Sequence, residues 1–415
     1  MTSLIGLPIE IVHHIAWELS PRSSESPEDA PQDIQVGLDF ACHSQQLTAL
    51  SRLSRTCKYL RDVVQPILFH SVFDSEETSV SLISTLNARP DLAAAVAELE
   101  IRGREALSDG DPDESLSPTQ QSMVTELVSK NFQIELQDDD RPGTCNVFAA
   151  LPAVLSPNVK RLLIHVGYWV PPILKPASLP RLRELYLVHR DTELGIHLSR
   201  FQSMLDAAPA LQTLKCHMVS TVDSAVSHGN LTTLDMQFSL LTNESFPLLI
   251  DGLPKLERFS YSSGGALVND EPEATPREIF EALRQRSSTL KHLSMDLQQA
   301  IYMEDLGEQD IIPSLAGMEV LQTLEISALA LAVENEPTDG NVLVDALPQS
   351  IRSFTLLDPH DTLAEDINRL AEMAAQRFPH LREVAFYDPT NQPRLVPDAP
   401  FTSRGIKCTN KSPLS

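Results

Sequence analysis

Apolar and polar positions alternate with two different periods along this 415-residue chain. Near the start, "LPIEIVHHIAWEL" (7–19) repeats Leu7, Ile11, Ile15 and Leu19 every four residues, which predicts one apolar stripe of a helix. Pro8 suits the first turn of that helix, where its missing N–H costs nothing. The stretch "LSRLSRTCKYLRDVVQPILFHSV" (50–72) belongs to a second predicted helix. It sets Leu47, Leu50, Leu53, Cys57, Leu60 and Val64 on one side and Arg52, Arg55, Lys58 and Arg61 over much of the remainder, and Pro66 should stop it. Two short amphipathic helices are too small to bury this surface alone. They either cap the domain that follows or present a surface to a partner.

Beyond residue 90 the period shortens. The triplet apolar-x-x-apolar-x-apolar returns ten times: "VAELEI" from Val96, "VKRLLI" from Val159, "LRELYL" from Leu182, "LQTLKC" from Leu211, "LTTLDM" from Leu231, "LERFSY" from Leu256, "LKHLSM" from Leu290, "LQTLEI" from Leu321, "IRSFTL" from Ile351 and "LREVAF" from Leu381. In a chain 42% hydrophobic such triplets arise by chance, but their lead-in does not. Pro157, Pro180, Pro209, Pro254 and Pro379 stand two residues before five of the ten, where 30 prolines in 415 residues predict fewer than one. The last three intervals are 31, 30 and 30 residues; earlier ones range from 20 to 63. Between triplets lie helical patterns. "TPREIFEALRQ" opens with Thr275 as N-cap, Pro276 in the first turn and Glu278 closing a capping box, and Leu363, Ile367, Leu370 and Met373 share one helical face. Helix, proline turn and short strand, repeated, describe an α/β solenoid of leucine-rich-repeat type. The asparagine expected eight residues after each triplet start is absent from all ten, so the turns should be irregular.

The N-terminal pattern resembles the F-box: a Leu-Pro start, a helix with Glu-Ile, then L-x-x-L-x-x-x-C-K and a closing Pro-x-Leu-Phe. The resemblance covers about 35 residues. It implies docking on the Skp adaptor, and through it a cullin–RING ubiquitin ligase. Leu7, Pro8, Ile11, Ile15, Leu50, Leu53, Cys57, Leu60 and Pro66 would make or support that contact, with Cys57 as a packing residue. The chain departs from the family between the two helices, where "SPRSSESPEDAPQDIQVGLDFACHSQQ" stands in place of a short loop. Its Ser/Pro/acid-rich first half should be a disordered excursion, holding Ser26-Pro27 as a candidate phosphorylation site. An F-box followed by degenerate leucine-rich repeats is similar to a group of F-box proteins numerous in filamentous fungi.

The expected layout is therefore an α/β chain. Residues 1–70 form an F-box helical unit with an insertion at about 20–46, 71–389 an irregular leucine-rich-repeat-like solenoid, and 390–415 a C-terminal tail. The implied function is substrate recruitment for a Skp–cullin–F-box ligase, without catalysis in this chain. The alternative is a solenoid scaffold or adaptor-bound regulator that directs no ubiquitination.

Charge narrows the partners. A formal net charge of −25 argues against nucleic acid, whose phosphates need clustered Lys and Arg, and against an anionic membrane surface. The start lacks a signal-peptide pattern and no apolar run reaches a membrane span, so a cytoplasmic or nuclear setting is expected. Cys42, Cys57, Cys145, Cys216 and Cys408 are scattered without a CxxC pair, which offers neither a disulfide framework nor a zinc site. Asp109, Asp111 and Asp113 start like a calcium loop, but Glu114 and Gln120 occupy positions where Gly and Glu belong. His13-His14 cannot supply two ligands from one helical face. His360-Asp361 reads as a helix cap, and no phosphate loop or nucleophile elbow is present. No cofactor is expected. If the chain is a receptor, the strand residues between the apolar positions should point outward: Tyr186, Lys215, His217, Asp235, Asp296, Glu325 and Tyr387. Of these Tyr186, Lys215 and His217 form the expected target-binding patch, with Trp169 as a separate candidate anchor in a loop.

Overall fold

All ten triplets form strands, and their prolines explain where the strands start. In the computed structural model the N–H of the first triplet residue closes a four-residue turn: Val159 to Ser156 O (3.1 Å), Leu182 to Leu179 O (3.3 Å), Leu211 to Ala208 O (3.0 Å), Leu256 to Leu253 O (3.2 Å) and Leu381 to Phe378 O (3.1 Å). Each of the five prolines occupies the second position of its turn, where a fixed φ near −65° is already correct. The structure describes residues 6–20, 40–74, 78–102, 117–133, 144–166, 173–189, 195–264, 273–300, 306–334, 336–387 and 399–411.

The chain divides into two compact units: Met1–Arg190 with Arg200–Leu211, and Asp191–Ser199 with Gln212–Ser415. The expected boundary at residue 70 falls inside the first. That unit holds helices α1 (Ile9–Glu18), α2 (Phe40–Ser54) and α3 (Lys58–Leu68), then β1 (Ser71–Asp74), α4 (Ser79–Ala88), α5 (Pro90–Ala93), β2 (Glu98–Arg102), α6 (Pro118–Asn131), α7 (Thr144–Leu155), β3 (Arg161–Val166), β4 (Glu184–His189) and α8 (Gln202–Ala207). Its strands pair in chain order and in parallel, Leu99 with Leu162 and Leu162 with Leu185.

The second unit carries β5 (Ile196–His197), β6 (Thr213–His217), β7 (Val219–Thr221), β8 (Thr233–Ser239), α9 (Ser245–Ile250), β9 (Arg258–Ser263), α10 (Pro276–Leu283), β10 (His292–Asp296), β11 (Thr323–Ser327), α11 (Val342–Ala346), β12 (Ser353–Leu357), α12 (Ala364–Arg377), β13 (Glu383–Tyr387), α13 (Ala399–Thr402) and β14 (Lys407–Lys411). Strands β6 and β8 to β14 form one parallel sheet in chain order, and β5 pairs with β7. The fold is thus α/β. Parallel sheets of this kind need cover on the apolar face, and helices alternate with strands to supply it.

Register lines up the triplets. Leu234, Phe259, Leu293, Leu324, Phe354 and Val384 face one another across successive strands, followed by Met236, Tyr261, Met295, Ile326, Leu356 and Phe386, all buried. The apolar faces of α10 (Ile279, Phe280, Leu283) and α12 (Ile367, Leu370) are buried too. The capping box at Thr275 and Glu278 is present as expected. A second joins Ser117 to Gln120 at α6.

Serines of neighbouring strands satisfy several backbone donors near the strand ends. Ser239 Oγ accepts the Val219 N–H (3.1 Å), Ser262 Oγ that of Phe238 (2.9 Å) and Ser327 Oγ that of Leu297 (2.8 Å), so backbone donors at the start of β7, near the end of β8 and just past β10 are each satisfied from the strand that follows. Met218 and Phe238, at the ends of β6 and β8, adopt left-handed φ values of 64° and 48°, which bends the chain there.

Several expectations are corrected. The single helix across residues 50–64 is two: Arg55 and Thr56 close α2 with short turns onto Arg52 and Leu53, and Cys57 is extended ahead of α3. Pro66 does not stop α3 but sits inside it, near enough to the end at Leu68 to remove only one late bond. The insertion does not run to residue 46, since α2 starts at Phe40. Nor is 390–415 simply a tail: β14 pairs in parallel with β13, Lys407 with Glu383 and Cys408 with Val384.

Candidate functional site

Helices α1 to α3 satisfy their own core and leave apolar surface over. Ala16, Leu50, Val64 and Ile67 are buried together, with Trp17, Leu19, Leu53 and Leu68 against them. Val12, Leu60 and Val63 form a second cluster, joined by Leu7, Leu53, Cys57 and Tyr59. Trp17 donates from Nε1 to His13 Nε2 (3.2 Å) and meets the His70 ring edge-on at 4.9 Å. Burial lowers the His70 pKa from its ordinary value.

The buried face of α1 is Val12 and Ala16, not the anticipated stripe. Ile9 and Ile11 are 51% and 46% exposed, and Pro8 is exposed beside them. Pro8 holds this end of the helix in place: its carbonyl accepts the N–H groups of Ile11 (3.0 Å) and Val12 (3.2 Å). Pro8, Ile11 and Ile15 share one helical face by their i, i+3, i+7 spacing. Among the expected adaptor-facing residues, Pro8, Ile11 and Pro66 are exposed and Leu7, Ile15, Leu53 and Cys57 half-buried. Leu50 and Leu60 are buried inside the helical core, where they support the face instead of forming it. Ile9 escaped the sequence reading because it lies off the four-residue stripe. Each half-exposed isoleucine would gain on the order of 1 kcal/mol if it were buried against another apolar surface.

The polar face of the strands is the other candidate. In the first unit it is a network: Arg161 bridges Glu184 (2.9 Å) and Glu98 (3.4 Å), Tyr186 donates to Glu184 (3.0 Å), and His165 and Arg102 both meet Glu100 Oε1 (2.9 and 3.1 Å). Tyr186 is therefore engaged within its own strand and half-buried. In the second unit Lys215 lies 3.9 Å from Asp235, and Asp235, Ser260, Ser294 and Glu325 follow one another across β8 to β11. Burial raises the pKa of Asp235 against the pull of Lys215. Burial, with Asp358 nearby, raises that of Asp296. His217 does not point outward into solvent: it is buried, its ring 5.5 Å from that of Phe238. The left-handed turn at Met218 ends β6 there, so simple alternation fails at its last residue. Tyr186 belongs to the first unit and Lys215 and His217 to the second. Trp169, the acidic run at Asp109, Asp111 and Asp113, and Ser26-Pro27 lie outside the described residues.

Among the described residues no group of three or more His, Cys, Asp or Glu side chains could hold a metal ion, and no helix is long and apolar enough to cross a membrane. No protein-family model matches the chain, and no curated protein matches it.

Proposed function

We propose that this chain is the substrate-recognition subunit of a Skp–cullin–F-box ubiquitin ligase, with α1 to α3 docking on the Skp-type adaptor. The strand-bearing remainder, read as an irregular leucine-rich-repeat-like solenoid, holds a target protein. The chain itself performs no catalysis; it brings the target's lysines within reach of the ligase's ubiquitin-loaded partner. The observation that carries this reading is the apolar face of Pro8, Ile11 and half-buried Ile15, left over by a helical unit whose own core is already filled. A capping hairpin would turn that face inward. The F-box-like sequence across residues 7–19 and 50–69 supports the same reading.

Purified full-length protein should bind a recombinant Skp-type adaptor directly in titration calorimetry. Ile11→Glu places a charge at the centre of the face without touching the helical core, and should weaken binding at least about a hundredfold, as for loss of a central anchor. Normal adaptor binding by this variant, or none by the wild type, overturns the proposal. Adaptor binding without accumulation of any captured partner when Ile11 is changed in cells would favour the scaffold reading instead.

A further inference from the structure

The residue just before each strand shows a second regularity. In the ten triplets this position holds Ala97, Lys160, Arg183, Gln212, Thr232, Glu257, Lys291, Gln322, Arg352 and Arg382. Five are basic and one acidic, in a chain with 57 acids against 32 bases, where chance gives fewer than one base in ten. Within the second unit the backbone stacks these positions in order. The carbonyl of each accepts the N–H of its successor: Lys291 to Glu257 (2.8 Å), Gln322 to Lys291 (2.8 Å), Arg352 to Gln322 (2.7 Å) and Arg382 to Arg352 (2.8 Å). Arg352 and Arg382 are neighbours on adjacent strands, both exposed, and neither guanidinium has a hydrogen-bond or ion-pair partner among the described residues. Acids close by are already taken, Glu257 by Lys291 (2.9 Å) and Glu383 by Lys407 (2.8 Å). Arg258, one residue further on, adds a cation beside the strip; its partner in register, His292, adds none, because burial, with Arg258 and Lys291 nearby, lowers the His292 pKa.

We propose that this strand-leading rim, centred on Arg352 and Arg382, docks an acidic segment of another protein. Arg352 and Arg382 start from backbones one strand apart, about 4.8 Å, so an anion held between their unpaired guanidinium groups would relieve the like-charge repulsion. Favourable placement of cations at a helix C-terminus does not explain them: Arg377 fills that role in α12, and Arg382 lies beyond it. A flexible acidic segment can bring a carboxylate to each of these two long side chains. Nucleic acid fits less well, since none of the ten strand-leading residues is aromatic for base stacking.

The test uses the full chain and a fluorescein-labelled octaglutamate peptide, read by fluorescence anisotropy at low salt. The wild type should bind it, and added salt should weaken the complex. Arg352→Glu with Arg382→Glu should cut affinity at least about tenfold, with an unchanged thermal midpoint. Arg352→Gln with Arg382→Gln should show a smaller loss in the same direction, and serves if charge reversal disturbs folding. No binding by the wild type, equal binding by both variants, or tighter binding of an octanucleotide would each overturn the proposal. The inference stands apart from the adaptor reading, because Ile11→Glu should leave peptide binding intact and the arginine variants should leave adaptor binding intact.

Discussion

The N-terminal helices and the strands that follow treat isoleucine in opposite ways. In β11, Ile326 is fully buried, flanked in register by Met295 and Leu356. In α1, Ile11 is nearly half exposed although a smaller neighbour, Val12, is buried. The strands form a closed system, in which each apolar side chain finds its counterpart one strand away. The helices form an open one, in which two small clusters are filled and an apolar face is left over. On the proposed reading, the open face of the helices carries the capacity to bind the adaptor, and the closed core of the strands does not.

The comparison breaks if the same substitution costs the same in both places. Ile326→Ala should destabilise the protein by about 2–5 kcal/mol, from lost transfer energy plus the cavity left between two strands. Urea unfolding followed by circular dichroism measures this. A loss under ~1 kcal/mol would mean that the core collapses around the gap, and the register described above would not be rigid.

Much of the strand region was legible, for a local reason. The apolar triplet and a proline at the second position of the turn before it are both short-range signals; the triplet marks ten strands, and five of them carry the proline as well. Strands β1 ("SVFD") and β14 ("KCTNK") carried neither signal; they pair because the neighbouring strand offers an edge. The helical region was less legible. The break between α2 and α3 depends on Thr56 turning its Oγ1 back to the Leu53 carbonyl (2.8 Å) and on Cys57 staying extended, which periodicity does not register. Which face of α1 is buried was also hidden. Leu7, Ile11, Ile15 and Leu19 make one helical stripe and Val12 and Ala16 another, and only packing against α3 chooses between them.

Between the two regions lies a group that should sharpen the contrast by its response to pH. Asp74 ends β1, the first strand after the helices, and is fully buried, with hydrogen bonds from Ser79 Oγ (2.9 Å) and Thr78 Oγ1 (3.3 Å). Burial pushes its pKa up to about 6 from 3.8, although both hydroxyls pull it down. The folded protein thus holds this proton more tightly than the unfolded chain. Its stabilising contribution is full below about pH 4 and is lost as pH rises through about 6, on the order of 3 kcal/mol in all. Asp74→Asn keeps the neutral form at every pH. The variant should match the wild type near pH 4 and exceed it by up to ~3 kcal/mol near pH 7, in paired urea titrations. A difference that does not change with pH would show that Asp74 is solvated, and that the junction belongs to the open region.

The smallest expected effect is the most informative. Ile11→Ala removes a side chain whose outer half is already in water, so the loss of burial is a fraction of that at Ile326. It also replaces a β-branched residue by the best helix former, which returns roughly 0.4 kcal/mol at an exposed helical position. The two terms oppose each other, and the net change in folding stability should lie within about 0.5 kcal/mol of zero. If the variant instead lost more than ~1 kcal/mol, another part of the chain would be covering Ile11, and the open face would be an internal one. A neutral result joined to weakened adaptor binding would separate the two properties within one side chain. The residue would then be kept apolar for the sake of a partner and not for the fold, which is the distinction between Ile11 and Ile326 that the burial pattern draws.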